Sequence, residues 1–289
     1  MSWRTVVVSN RCKLDLKLGY MVLRGAETRR VFLDEIAVVI LENPAVSLTG
    51  CLLDALVEKK IRLILCGNNR LPVAELTPCY GSYDCSGKLK KQMGWTDEAK
   101  DRVWRAVVGD KIRKQAEHLA EVKHQREALL LESYLPQIEF QDRTNREGHA
   151  AKVYFNALFG MEFTRDSQDP RNAALNYGYG ILMAAFSREI CAHGYLTQLG
   201  IHHDNANNFY NLSCDLMEPF RVLVDREVVR MEVRQFTKEE RYRLVDVLNA
   251  AVVIGGTAQT VLNAIKIYVR SVLSALNSGN TEQIALYQI

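Results

Sequence analysis

The stretch GIHHDNANNFYNLSCDLMEPFR, residues 200–221, holds two adjacent histidines, His202 and His203, followed by Asp215 and Glu218 three residues apart. A second polar motif lies upstream. NREGHAAKVYFNALFG, residues 145–160, carries Glu147 near its start. A carboxylate, an imidazole and a second carboxylate form a mostly hard-oxygen donor set with one borderline nitrogen. Such a set suits Mn²⁺ or Mg²⁺ better than zinc or copper. These ions hold phosphate oxygens and offset charge in phosphoryl transfer. Each motif also has a structural reading. Asp215-x-x-Glu218 matches a capping arrangement ahead of an apolar helix, with Pro219 suited to its first turn. Glu147 fits a first-turn acid favoured by the helix dipole, with Asn145 as the cap. A His-His pair in an Asn-rich loop is compatible with plain exposure. His202-His203-Asp204 also reads as the HD pair of a metal-dependent phosphohydrolase, a chemistry that needs a further upstream His and a downstream Asp on helices. Local spacing leaves these alternatives open.

The elements that must position these residues fall into two groups. WRTVVVS (3–9), YMVLR (20–24), RRVFLD (29–34), IAVVILE (36–42) and IRLILCG (61–67) are short, β-branched and bounded by turn formers, so they predict strands. Leu48, Leu52, Leu53, Leu56 and Val57 recur at helical spacing, with Ser47 or Thr49 as a cap. Beyond about residue 95 the period is helical. Helices are expected over Asp97–Glu132 with a mild break at Gly109, Asn145–Phe159, Asn172–Ala192, Pro219–Val233, Lys238–Ile254 and Thr257–Leu276, the last two separated by Gly255-Gly256. The expected fold class is therefore α+β. A small N-terminal β-sandwich-like domain, residues 1–86, precedes a larger all-α catalytic domain, residues 87–289.

The chain has 289 residues, 48% hydrophobic and 25% charged, with a net charge of +3, the balance of an ordinary globular protein. No apolar run approaches the roughly 18 residues that span a bilayer, and the N-terminus lacks a signal-peptide pattern. No membrane association and a cytoplasmic location are expected. The seven cysteines form no CxxC pair, which argues for reduced thiols. Charge is uneven: residues 86–126 carry eleven Lys/Arg against six Asp/Glu, a net of +5. This points either to phosphate contacts or to a solvated helix face laced with i,i+4 pairs.

The two polar motifs, together with EIAVVILENPAVSLTGCLLDALVEKKIRLILCGNNRLPVAELTP, resemble the CRISPR-associated integrase, the catalytic subunit of the spacer-acquisition (adaptation) complex. The resemblance runs from Trp3-Arg4 to the last helix and is most like type II systems. It implies a metal-dependent DNA integrase and endonuclease that inserts prespacers into a CRISPR array by 3′-hydroxyl transesterification. It implies Glu147, His203 and Glu218 as catalytic metal ligands for Mn²⁺ or Mg²⁺, with Asp215 a further candidate. It also implies a homodimer through the N-terminal domains, with two such dimers joined to a small companion adaptation protein in a four-plus-two complex. DNA is a partner, as prespacer duplex and CRISPR repeat. Other type II adaptation or effector proteins are candidate partners. Lys88, Lys90, Lys91, Arg102, Arg105, Arg113, Arg146 and His149 are candidate DNA contacts. Two positions depart from the family pattern: Val222 follows Arg221 where proline is frequent, and His202 has no counterpart. The rival readings are the HD-type phosphohydrolase and a non-catalytic DNA-binding scaffold.

Overall fold

The computed structural model describes residues 4–68, 70, 72–76 and 84–289. The chain divides into two compact units, Met1–Cys85 with Cys191–Gly194, and Ser86–Ile190 with Tyr195–Ile289.

The first unit is strand-rich. β1 (Arg4–Val8), β5 (Ile36–Leu41), β7 (Arg62–Cys66) and β8 (Pro72–Leu76) form one sheet in the order β1-β5-β7-β8. β5 is buried at every position and pairs in parallel with β1 and β7, which explains its unbroken apolar run. The second sheet has the order β4-β3-β2-β6, formed by β2 (Lys13–Lys17), β3 (Tyr20–Arg24), β4 (Thr28–Phe32) and β6 (Ser47–Leu48). β2 and β3 join through Leu18-Gly19, both at positive φ, the backbone that a two-residue hairpin turn requires. One core takes Leu14 and Met21 from this sheet, Val39, Leu41 and Leu63 from the other, and Leu52 and Leu56 from α1 (Gly50–Glu58). Thr49 occupies the N-cap of α1 without a side-chain hydrogen bond, whereas Ser47 lies in β6. Sequence periodicity missed β2 and β8. KLDLK alternates strictly but holds no β-branched or aromatic residue, and β8 lies in a stretch dense in turn formers.

The second unit is mainly helical. Its helices are α2 (Cys85–Met93), α3 (Asp97–Glu121), α4 (Gln125–Tyr134), α5 (Arg146–Phe159), α6 (Pro170–Ala192), α7 (Asn211–Met217), α8 (Arg221–Met231), α9 (Lys238–Asp246) and α10 (Val261–Ser278). The expected helix 97–132 is two helices. Gly109 lies buried within an unbroken α3, and the break falls at Lys123, whose φ is 69. The expected all-α character also fails locally. β9 (Ala251–Ile254), β10 (Thr257–Thr260) and β11 (Tyr287–Gln288) form a three-stranded sheet in the order β10-β9-β11. Gly255-Gly256, at φ 60 and 75, is a hairpin turn rather than a gap between helices, and β-branched Val252-Val253-Ile254 favours the strand. α10 therefore starts only at Val261, after a Thr260 side chain that accepts from the Asn263 N–H.

α3 packs against α4, α5, α8 and α10 and is buried around most of its circumference. α6 and α8 meet closely at Gly178, where an added Cβ would stand 2.4 Å from Val224 Cγ1. Among the described residues no helix is long and apolar enough to cross a membrane.

Candidate active site

Glu147 lies in the first turn of α5. Asn145 caps that turn from a left-handed backbone (φ 50), its side chain accepting from the Gly148 N–H. Buried Asp142 accepts from the Arg146 N–H at 2.8 Å and the Glu147 N–H at 2.9 Å. Sequence reading found the Asn145 cap and missed Asp142, whose own φ of 46 lies outside any periodic pattern. Glu218 opens a single 3-10 turn, Glu218–Phe220, between α7 and α8. It is buried, and its Oε1 lies 2.9 Å from Arg221 Nη2. The i,i+3 spacing of that pair is visible in the sequence.

Asp215, on α7, is fully buried. It does not cap α8. Its Oδ2 accepts from the Ile201 N–H at 2.7 Å and the His202 N–H at 3.1 Å. Its Oδ1 accepts from the His203 N–H at 3.1 Å and meets His203 Nδ1 at 2.5 Å. A carboxylate offers about four lone-pair sites, so these four donors fill Asp215. A carboxylate oxygen accepts, so Nδ1 carries a proton, and in the neutral ring Nε2 keeps the lone pair, the tautomer that suits a metal-binding histidine. This bond to Asp215 raises the His203 pKa against the opposing effect of burial. Asp204 is exposed, and the acid that meets the His203 ring is Asp215. His202 stacks on buried Trp104, with ring centroids 4.1 Å apart and an interplanar angle of 3°.

Glu147, His203 and Glu218 line one cavity of 240 Å³ together with Lys111, Arg165, Tyr179, Arg221 and Asp225. Lys111, from α3, contacts Glu147 Oε1 and sits 2.5 Å from Glu218 Oε2. Burial disfavours the Lys111 charge, but Glu218 and Glu147 outweigh it and the pKa is raised. Burial likewise works against the Glu218 charge, and Arg221 and Lys111 hold its pKa below the usual range. Among the described residues no three His, Cys, Asp or Glu side chains stand close enough to enclose an ion as placed; the Lys111 ammonium takes that space between the two carboxylates. Two carboxylates already facing a cation and an imidazole in the same cavity are donor types that suit Mn²⁺ or Mg²⁺.

Behind this wall Tyr179 and Tyr154 both donate to Asp225, which burial pushes up to about 6. Arg221 lies over the Tyr179 ring at 4.7 Å. Lys111, Arg165, Tyr179 and Asp225 escaped sequence reading. Lys111 had counted only toward the charge of a segment, and Arg165 lies in an aperiodic loop.

The candidate DNA contacts scatter. Lys88, Lys90 and Lys91 lie on α2, Arg102, Arg105 and Arg113 on exposed positions of α3, and Arg146 and His149 on α5. None of them lines the cavity. Lys111 and Lys114 are buried in the helical unit, so α3 is not a basic rod open to solvent. Arg105 pairs with Asp101 at 2.8 Å and Arg113 with Asp110 at 3.2 Å, as expected of a salt-bridge-laced helix face.

A CRISPR-associated endonuclease Cas1 of Neisseria meningitidis serogroup C is 33% identical over 296 residues, spanning 100% of this chain and 97% of its own. A casposase bound to integration product has the same fold, with a TM-score of 0.78 at 17% identity, over 97% of this chain and 92% of that one. A chain of a Cas6-RT-Cas1–Cas2 complex gives 0.77 at 17% identity, over 97% of this chain and 36% of that one. At that identity the two solved structures speak to the fold alone. The sequence pattern of CRISPR associated protein Cas1 matches residues 5–248, and the chain belongs to the Cas1 family.

Proposed function

We propose that this protein is a metal-dependent DNA integrase and endonuclease of CRISPR adaptation, with its active site in the α3, α5 and α8 cavity. One observation carries the reading. Glu147, His203 and Glu218 come from three separate segments and line the same 240 Å³ cavity. These three residues would hold Mn²⁺ or Mg²⁺. The bound ion supplies neutralisation of charge at the phosphate and leaving-group oxygens.

The protein's own groups do the rest. Asp215 fixes His203 in the Nδ1–H form, leaving Nε2 to coordinate. Arg221 and Arg165, both lining the cavity, face a phosphodiester with fixed positive charge. The prespacer 3′-hydroxyl attacks a target-strand phosphorus in line. Its oxygen forms the new P–O bond, the target 3′-oxygen leaves, and the hydroxyl proton is matched by one taken up on the leaving oxygen. The bond count is conserved, so no ATP is consumed. With water as nucleophile the same site hydrolyses DNA.

The Neisseria relative, a CRISPR-associated endonuclease that matches the whole chain, supports the wider assignment. On this reading the protein works in the cytoplasm as a homodimer through residues 1–86. Two dimers bind the small companion protein, and Lys88, Lys90, Lys91, Arg102, Arg105, Arg113, Arg146 and His149 contact DNA phosphates. To test the site, Glu147, His203 and Glu218 are replaced singly by Ala. Strand transfer is then measured with Mn²⁺, the companion protein and a supercoiled array plasmid. Each replacement is expected to cost about 100-fold or more, because even the outer partners of metal ligands are worth roughly 10–100-fold. A folded variant with near-wild-type strand transfer is not a ligand variant. Nucleotide turnover without strand transfer would instead favour the phosphohydrolase.

A further inference from the structure

Lys111 has no part in the reaction as written, yet its placement is specific. Its side chain is 7% exposed, and its ammonium touches both Glu147 Oε1 and Glu218 Oε2. The remaining Glu218 oxygen pairs with Arg221. A buried ammonium is costly unless paired, and here its partners are the two carboxylates assigned to the ion. Lysine and ion therefore compete for the same oxygens. The charges make the competition sharp. Glu147 and Glu218 carry two negative charges and Lys111 and Arg221 two positive ones, so the cluster is balanced before an ion enters. A divalent ion then adds two positive charges to these four balanced groups. A phosphodiester in the same cavity supplies a negative charge and removes part of that cost.

We propose that Lys111 is a tethered counter-ion that competes with the divalent ion for Glu147 and Glu218, so that the ion binds weakly to the DNA-free protein and tightly once a DNA phosphate enters. This rests on the reading of Glu147, His203 and Glu218 as ligands. Entry of the ion requires the Lys111 Nζ to release at least one carboxylate, which its flexible four-carbon stem allows. The released ammonium remains beside the cavity, where a phosphate is its natural partner. An idle protein then carries little metal and little nuclease activity.

The experiment is Mn²⁺ binding to the full chain, read by calorimetry and by the resonance of free Mn²⁺, with and without a short DNA duplex. Wild type is compared with Lys111→Met, which keeps length and removes charge. The DNA-free Mn²⁺ affinity is expected to tighten about tenfold or more on loss of a cation at contact distance, and the gap between DNA-bound and DNA-free affinity to shrink. Structural damage would weaken binding, so a gain cannot come from misfolding. Lys111→Arg keeps the charge and should leave DNA-free affinity nearer wild type than Lys111→Met does. Unchanged or weaker Mn²⁺ binding by folded Lys111→Met overturns the proposal. If that variant does not fold, wild type decides: equal Mn²⁺ affinity with and without DNA overturns it, and tighter binding with DNA supports it. Should Glu218→Gln and His203→Ala bind Mn²⁺ as wild type does, the ligand reading itself fails, and the proposal with it.

Discussion

His203 owes its orientation to Asp215, whose two oxygens are occupied by three backbone N–H groups and the imidazole. Replacing Asp215 with Asn turns one acceptor oxygen into a donor that faces other donors. Loss of about 1–3 kcal/mol of stability is expected from those unmet bonds. A larger signature is a fall in Mn²⁺ affinity of roughly 10–100-fold. Urea unfolding and Mn²⁺ titration read the two effects, and an unaltered Mn²⁺ affinity would leave Asp215 a purely structural residue. Gly200 belongs to the same arrangement. A Cβ there would stand 2.3 Å from the His203 carbonyl oxygen and 2.7 Å from Asp215 Oδ2, so the loop closes onto Asp215 only because this side chain is missing. The family resemblance singled out His203, Glu147 and Glu218; local residue types and spacing left each open to a structural reading. They did not expose what Asp215 does, since its partners depend on how the 200–203 loop folds back.

α5 begins on a strained residue, and that start sets where Glu147 stands. Asn145 is left-handed, a region that Asn tolerates better than most residues. Asn145→Ala loses the cap and keeps the strain, a cost of about 2 kcal/mol. Asn145→Gly loses the side chain but relieves the strain, a cost of only a few tenths of a kcal/mol. Denaturant midpoints should fall in the order wild type, Gly, Ala; equal midpoints for Gly and Ala would remove strain from the account. This cap was legible because Asn, Glu147 and the apolar stripe follow one another locally. The β9–β10 hairpin was not, because Gly255-Gly256 serves equally as a helix stop or as a hairpin turn. The choice falls to packing: Val252 and Ile254 are buried, and β11, from the far end of the sequence, pairs with β9.

Across the helical unit a buried polar line joins four helices: His118 on α3 meets Tyr154 on α5 at 2.7 Å, and Tyr154 and Tyr179 (α6) both reach Asp225 on α8. Burial, with Arg226 and Arg230 nearby, pushes His118 down to about 3, while burial lifts Asp225 to about 6. The two act in opposite senses. Between about pH 6.5 and 3 the unfolded chain protonates His118 and the native protein does not, so this residue subtracts stability as pH falls. Between about 6 and 3.8 the native protein protonates Asp225 and the unfolded chain does not, so that contribution is lost as pH rises. His118→Gln should therefore gain stability relative to wild type on going from pH 7 to 4, and Asp225→Asn should lose it, each by on the order of 3 kcal/mol. Urea unfolding at each pH measures this, and parallel curves would sink it. The change from strands to helices along the chain was legible because it is a change of local period. The cavity was not, because it is closed by pairs such as Lys111 and Glu218, 107 residues apart, which no local pattern encodes. One further property follows from the stack of His202 on Trp104. Indole emission is quenched by a charged imidazole at contact and recovers when the rings part. Burial works against the His202 charge and holds its pKa below the usual imidazole value, so quenching of Trp104 by the stacked ring should set in only in acid. The stack is thus a built-in optical reporter of the His202-His203 loop: in acid, where the imidazole is charged, Trp104 emission should be low while the rings are stacked and should rise when the loop moves away.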